Sequence, residues 1–442
     1  MPTWYLPAAP AILMGACKWL DLESDFIDLN ILDFKSCSDI VEWASIINQK
    51  NPKLVALSVF SYKSQKLAVS LSQELKKINP TIKIVAGGSG IKDSINGSLM
   101  QSDIIDYYIV GDGEAQWPEF LIKYFNIQRD IKIAGLDIPY APDYSRYDVV
   151  FYQQQASANN LRPYVPITGS RGCVRRCTFC EVPKRWDFVQ RSPSHIASEI
   201  LKILEMLPNA HIHFTDSLVN GSLLAFDELL DYLIRIRKQY PTFTWGGQFI
   251  IRNLKQSGEK YWKKIADSGA ARLEIGVETG SDKLRLEMKK NFYNADLTHS
   301  LEFMEKFNIS CIFLLFVGYP TETTDDINDT VLMFEKYASL ANKIIKEVTL
   351  GYSMSIALGT PIYDQSKKNT DIVLTKDPTI WFNKKNPTLT FAERIARRQL
   401  LADKLIELGY QLGFDNHESL LDSNRAYTSN INLINLIEKQ RA

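Results

Sequence analysis

Short apolar runs alternate with amphipathic stretches along most of this 442-residue chain, and the alternation comes in two series. A chain patterned in this way folds as strands joined by crossover helices, which pairs the strands in parallel and buries them on both faces. In the first series the runs are Phe26 to Leu29, Leu54 to Phe60, Ile82 to Gly87 and Tyr107 to Gly111. Between them, Asp39 to Gln49 and Ser64 to Ile78 place apolar residues three and four apart, as crossover helices require. Gly87, Gly88, Gly111 and Gly113 fall at the carboxyl ends of the expected strands, where a doubly wound sheet receives its ligands. The opening is cramped. Only Thr3 to Leu6 precede Pro7-Ala8-Ala9-Pro10, so the first strand is either very short or missing an upstream piece.

A loop rich in Pro, Tyr, Asp and Asn, roughly residues 139 to 164, separates this series from the next. The second series runs Val165 to Thr168, His211 to Thr215, Thr244 to Ile250, Arg272 to Val277, Ile312 to Val317 and Val348 to Ile356. Six strands with intervening helices suggest an incomplete β/α barrel. Beyond about residue 365 strands give way to helix, and Thr390 to Leu412 reads as one long amphipathic helix carrying Arg394, Arg397 and Arg398. The expected architecture is α/β. Residues 1–150 form a Rossmann-like doubly wound domain, 151–365 a partial (β/α)6 barrel and 366–442 a helical C-terminal segment.

The 51 basic side chains balance the 51 acidic ones, so no bulk attraction to nucleic acid or to an anionic membrane is expected. The first 17 residues carry no charged side chain, but Pro2, Pro7 and Pro10 interrupt them and no basic residues precede them. A spanning helix needs a longer unbroken run, and a cytoplasmic location is the expectation.

Six cysteines occur, and three of them, Cys173, Cys177 and Cys180, lie within eight residues directly after the first strand of the second series. In a long, cysteine-poor chain such a cluster points to metal or redox chemistry. Cys17, Cys37 and Cys311 are scattered and suit buried apolar positions. Three thiolates ligate three irons of a cubane and leave the fourth open. Arg171, Arg175, Arg176, Lys184 and Arg185 surround the loop, which suits a cluster of net negative charge. A zinc site is the alternative, with His195 as fourth ligand, although closed zinc sites usually pair their ligands in two short motifs.

The stretch Gly-Cys173-Val-Arg-Arg-Cys177-Thr-Phe179-Cys180 after a strand resembles the cluster loop of the radical S-adenosylmethionine (SAM) superfamily, and the resemblance continues for about 190 residues. His213-Phe-Thr-Asp216 is similar to that family's second-strand motif. Glu274-Ile-Gly-Val-Glu278-Thr-Gly-Ser281 with Met288-Lys289-Lys290 is similar to its fourth-strand motif. Phe316-Val-Gly318-Tyr-Pro320-Thr-Glu322 and Leu358-Gly359-Thr360-Pro361 resemble its glycine turns after strands five and six. The resemblance implies a 4Fe-4S cluster on Cys173, Cys177 and Cys180, and SAM chelating the open iron and cleaved to a 5'-deoxyadenosyl radical. It also implies cosubstrate contacts from Phe179, Asp216, Glu278, Ser281, Lys289, Gly318, Pro320 and Gly359. Plainer readings stand beside these. Asp216 suits a helix cap, Lys289 a solvated helix face, and Gly318-Tyr-Pro320 a tight turn. Trp245 and Gln248 either line the substrate space or, for Trp245, fill the barrel.

The first domain resembles the cobalamin-binding domain that precedes the barrel in one branch of the superfamily. The matching residues are Pro7 and Pro10, Asp28-Leu-Asn30, Ser58, Gly87-Gly88 and Gly111-Asp-Gly113-Glu114. No histidine precedes His195, so cobalt held there has no histidine ligand from this domain. The likeness implies methyl transfer to an unactivated carbon or a phosphinate phosphorus in a small-molecule substrate, with an electron donor such as flavodoxin or ferredoxin. A radical enzyme without cobalamin, carrying out rearrangement or oxidation, is the alternative, and a non-enzymatic metal-binding module is a third. A methylthiotransferase is not expected, because Cys17, Cys37 and Cys311 form no second cluster pattern.

Overall fold

A computed structural model describes residues 5–29, 31, 39–59, 62–91, 100, 102–133, 135–182, 187–368, 371–375 and 377–413. Thr3, Asn30, Cys37, Phe60, Lys184 and Arg185, named above, lie outside the described residues. The described residues divide into two compact units. One runs to Ile167 and includes Gln190–His213, and the other comprises Thr168–Val189 and the chain from Phe214 onward.

In the first unit the helices α1 (Ala8–Trp19), α2 (Ile40–Gln49), α3 (Tyr62–Ile78) and α4 (Gly113–Tyr124) accompany strands β1 (Leu54–Ser58), β2 (Lys83–Gly87) and β3 (Tyr107–Ile109). The strands are parallel in the order β1-β2-β3, with Ser58 opposite Gly87 and Gly87 opposite Ile109. Successive side chains of β2 serve opposite faces, as the period-two geometry of a strand demands. Ile84 and Ala86 pack with Trp43, Ile47, Leu71 and Leu75 of α2 and α3. Val85 packs with Ala16, Cys17, Trp117 and Leu121 of α1 and α4. Two helical layers on one sheet are the doubly wound arrangement that the sequence implies.

Among the described residues, two expected strands are not in this sheet. Tyr5 makes a single parallel bridge to Tyr164, and the Leu6 amide donates to the Tyr164 carbonyl at 2.9 Å. Pro7 then caps α1 and ends the extended stretch. Phe26 to Leu29 adds no strand either. Ile27 and Leu29 pack against the core beneath α2 and α3, and the Phe26 ring lies 4.7 Å from that of Tyr147. The apolar run is used for packing rather than for a ladder.

All six strands of the second series form. After helix α5 (Val149–Ala158), the first unit holds β4 (Tyr164–Ile167), helix α6 (Pro193–Met206) and β5 (His211–Phe214, whose last residue falls in the second unit). The second unit holds helix α7 (Leu223–Gln239), β6 (Thr244–Phe249), α8 (Glu259–Asp267), β7 (Ala270–Glu278), α9 (Asp282–Glu287) and α10 (Asn294–Lys306). Strand β8 (Cys311–Val317), α11 (Thr324–Lys336), β9 (Ile345–Ser353), α12 (Pro361–Lys368) and α13 (Phe391–Glu407) complete it. Strands β6 to β9 pair in parallel and in chain order. Leu273, Ile275 and Val277 of β7 are fully buried, while the residues between them are half-buried on the inner face. This alternation sets which side chains line the barrel and which support it.

Candidate functional site

The cysteine loop leaves β4 through Thr168 and is fixed at its root by Asp216. One Asp216 carboxylate oxygen accepts the Gly169 amide at 2.6 Å and the other accepts the Ser170 hydroxyl at 2.7 Å, with the side chain almost fully buried. The carboxylate meant for the cosubstrate therefore anchors the loop. Farther along, Thr178 ties the loop to three neighbours. Its amide donates to the Met288 carbonyl at 3.1 Å, its hydroxyl lies 3.0 Å from that of Tyr319, and its carbonyl accepts the Ile362 amide at 2.9 Å. The loop is thus stitched to the segments after β7, β8 and β9.

Burial pushes all three thiols up, Cys177 to about 11, and Cys177 and Cys180 each lie in the electrostatic field of another thiol. The Arg175 amide donates to Cys173 Sγ at 3.3 Å. Thiols in such surroundings stay neutral unless an iron takes the proton's place, so the donor set fits a cluster. Among the described residues no three His, Cys, Asp or Glu side chains are grouped to close around a single ion. A cubane takes each thiolate on a different iron, which is a wider spacing than four ligands around one metal.

Strand β7 ends on Glu278, which adopts φ 66°, a left-handed conformation uncommon for a residue with a Cβ. Its Oε1 accepts from Lys290 Nζ at 2.8 Å, and both side chains are only 12% exposed. Burial works against the Lys290 charge, but the Glu278 carboxylate and Cys177 outweigh it and raise its pKa. Gly276 makes room for the pair, since a Cβ there would stand 2.5 Å from Glu278 Oε1 and 2.8 Å from Lys290 Nζ. Of the two lysines in the motif, Lys290 enters the site. Lys289, chosen from sequence, is exposed at a left-handed φ of 59° just past the end of α9. Ser281 is committed elsewhere too. It caps α9 and donates to Asp326 Oδ1 at 2.7 Å.

The turn after β8 is held by the C-terminal segment. Gly318 has φ 94°, and a Cβ there would meet Arg394 Cδ at 2.3 Å. The Gly318 amide donates to Glu322 Oε2 at 2.9 Å, while Arg397 Nη1 donates to the Glu322 carbonyl at 3.2 Å. The Pro320 carbonyl accepts from Asn383 at 3.0 Å. Burial raises Glu322 to about 7 despite these partners. The arginine face of α13 turns inward onto carbonyl groups: Arg394 bonds Trp381 and Thr379, and Arg398 bonds Leu350 and Gly351. It clamps the turn from behind. Phe179 meets Phe316 edge-on at 4.9 Å, and Gly359, at φ 91°, lies beside Glu181 of the cysteine loop. Trp245 is wholly buried between Phe214 and Phe226 and bonded to Ser268, so it fills the core.

The sequence motifs contain Lys290 and Gly276 but single out Lys289, and they mark Arg394 and Arg397 without their partners; Asn383 carries no sequence signal. Lys290 adjoined the chosen residue, and the strand's alternation pointed to Gly276. Nothing local in the sequence signals the clamp.

In the first unit, Ser58, Gly87, Gly88 and Gly111 sit at the carboxyl ends of adjacent strands, and Gly113 and Glu114 begin α4. Gly88 has φ 107°, and a Cβ there would stand 2.4 Å from the Val59 carbonyl oxygen. Ser58, Gly88 and Gly111 are exposed. The exposed glycines at this edge fit the close approach of a flat ligand such as a corrin.

Residues 167–334 match the radical SAM superfamily model. An uncharacterised protein of Methanocaldococcus jannaschii is 24% identical over 321 residues, 64% of this chain and 60% of its own length. An uncharacterised methyltransferase of Pyrococcus horikoshii is 20% identical over 311 residues, 66% of each. Among solved structures, the radical SAM methyltransferase TsrM of Kitasatospora setae, with tryptophan and a SAM analogue bound, has a TM-score of 0.64 at 15% identity. That match covers 91% of this chain and 86% of TsrM. The cobalamin-dependent radical SAM enzyme OxsB, with aqua-cobalamin and SAM bound, has a TM-score of 0.65 at 15% identity and covers 90% of this chain and 64% of its own. Among the described residues no helix is long and apolar enough to cross a membrane. Residues 167–334, which carry the cysteine loop and β5 to β8, thus match a radical SAM superfamily domain, and the chain shares its fold with the solved TsrM and OxsB structures.

Proposed function

We propose that this enzyme is a cobalamin-dependent methyltransferase acting on an unactivated carbon or a phosphinate phosphorus. The observation that carries the proposal is the pairing of two strand-edge sites in one chain: a thiol loop beside Glu278 and Lys290, and a bare glycine edge at β1 to β3. The bound cofactors would supply one-electron cleavage of a sulfonium at the cluster and carriage of a methyl group at cobalt. The protein's part is positioning. Cys173, Cys177 and Cys180 hold the cluster, and Asp216 fixes their loop. Lys290 offers a charge to the SAM carboxylate, and Glu278 offers its second oxygen to the SAM amino group. Phe179 and Phe316 wall the site with apolar surface, and the Gly318 and Gly359 turns bring backbone close to the cosubstrate. A flavodoxin or ferredoxin delivers the electron in this reading.

One observation favours a cobalamin-free radical enzyme instead: the first unit's sheet has three strands among the described residues, fewer than the sequence implied. Anaerobic purification with cobalamin present, followed by assays of cobalt, 5'-deoxyadenosine and S-adenosylhomocysteine, separates the two. The proposal expects bound cobalt and both products. Deoxyadenosine without cobalt or homocysteine product would favour the alternative.

A further inference from the structure

The inner face of β6 to β9 carries a second polar group that the functions assigned above leave unused. Arg272 and Glu274 alternate with the buried Leu273 and Ile275, so their side chains share the inner face of β7 and are 42% and 19% exposed. Register places Gln248 opposite Glu274, Glu274 opposite Ile312, and Ile312 opposite Glu347. Strands β6, β7 and β9 thus present polar side chains at nearly one level, with the apolar Ile312 of β8 between Glu274 and Glu347. Arg272 reaches the two carboxylates only loosely. Its Nε is 3.9 Å from Glu274 Oε1, and its Nη2 is 3.9 Å from Glu347 Oε2. Both separations exceed hydrogen-bond length. Arg272 Nε is itself buried and has no hydrogen-bond partner among the described residues. Among the described residues Glu347 accepts one bond, from Thr349 at 3.1 Å, and Glu274 accepts none.

Above this level the inner face is mostly apolar or bare: Gly276, Leu314 and Thr349, whose hydroxyl is turned to Glu347, stand in register, followed by Phe316 and Gly351. Glu278 stands four residues beyond Glu274, a rise of about 13 Å along the strand. The wall therefore grades from a charged floor through an apolar waist to the rim that holds Lys290 and the cysteine loop.

We propose that Arg272, Glu274 and Glu347 bind the head group of the substrate, and that this head group is zwitterionic, with an ammonium and a carboxylate on one carbon as in a free amino acid. The partly exposed Arg272 guanidinium, held only loosely by the two glutamates, takes the carboxylate, and the glutamates take the ammonium. An anion alone would face two carboxylates, and a cation alone would leave the arginine unmet. The apolar waist takes an aliphatic or aromatic body, which presents a carbon toward the rim. This assignment rests on the radical chemistry proposed for that rim.

The test is calorimetric titration of the anaerobic, cluster-loaded and cobalamin-supplemented protein with L-phenylalanine, 2-phenylethylamine and 3-phenylpropanoate. Phenylalanine should bind, and each truncated analogue should bind at least about tenfold more weakly, because each loses a charge-assisted hydrogen bond. In Arg272→Gln the advantage over phenylethylamine should vanish, and in the Glu274→Gln, Glu347→Gln double variant the advantage over phenylpropanoate should vanish. The analogue series on the wild-type protein decides the matter even if a variant does not fold. Equal affinity for the three compounds, or no binding of phenylalanine, would overturn the assignment. Cleavage of SAM to 5'-deoxyadenosine, measured in the same preparation, keeps the two claims apart. Cleavage without phenylalanine binding sinks the head-group site alone, and binding without cleavage sinks the radical reading alone.

Discussion

The two strand-edge regions of the molecule are built on opposite principles. At the carboxyl ends of β4, β5, β7 and β8 the second unit works with charged side chains that are buried and already paired: Asp216 with Ser170, Glu278 with Lys290, Glu322 with Arg397. At the ends of β1, β2 and β3 the first unit works with exposed backbone, and its defining residues are defined by what they lack. A site of pre-paired charges fails when one partner is removed, because the other remains buried and unmet. A site of bare backbone fails when something is added.

The sharpest way to break this comparison is Asp216→Ala. It removes the acceptor of two buried hydrogen bonds at the root of the cysteine loop, a destabilisation of about 3 kcal/mol. Iron content should fall with it, and thermal melting together with iron analysis would read both. Full iron loading at wild-type stability would show that the loop does not depend on this anchor.

Adding a side chain in the first unit should act more weakly and selectively. Gly88→Ala forces a Cβ toward the Val59 carbonyl at a positive φ, a strain of about 2 kcal/mol. Cobalt retention should drop while iron content holds. A parallel loss of iron would mean that the two sites are not built independently.

Glu322 gives the comparison a pH axis. Its folded pKa of about 7 lies above the unfolded value of 4.5, so between these values the folded protein holds the proton more tightly. Its contribution to stability is present below the unfolded pKa and is lost as pH rises through about 7, by at most about 1.4 kcal/mol per pH unit within the window. Melting temperature should fall from pH 5 to pH 7.5 in the wild type and fall less in Glu322→Gln. Identical slopes would remove Glu322 as the source.

The smallest effect separates neighbouring residues. Lys289→Met should change stability and SAM affinity by less than about 0.5 kcal/mol, as for an exposed site. Lys290→Met strands the Glu278 carboxylate and should weaken SAM binding about tenfold. Equal effects on SAM affinity would erase the distinction drawn between them.

Most strands and the cysteine loop were legible in the sequence because periodicity and spacing are local signals. The run from Arg272 to Val277 marked the strand, while the burial of Leu273, Ile275 and Val277 shows which face is turned inward. Phe26 to Leu29 misled because an apolar run of four has the same pattern whether it enters a ladder or packs against Trp43 and Tyr147. Asp216 and Glu278 were found as a pair of site carboxylates, but their roles were not separable: which one bonds its own loop depends on Gly169 and Ser170, 46 and more residues away. The sequence marked Arg394, Arg397 and Arg398 as one helix face, but not their carbonyl partners at Thr379, Trp381, Glu322, Leu350 and Gly351, which lie far along the chain.

The central claim is tested most directly by counting metal on the anaerobically reconstituted protein and on Cys177→Ala. The wild type should hold about four irons per chain with the broad visible absorbance of a cluster, and Cys177→Ala should hold none. Stoichiometric zinc without iron-dependent absorbance, or an intact cluster in the variant, would contradict the account.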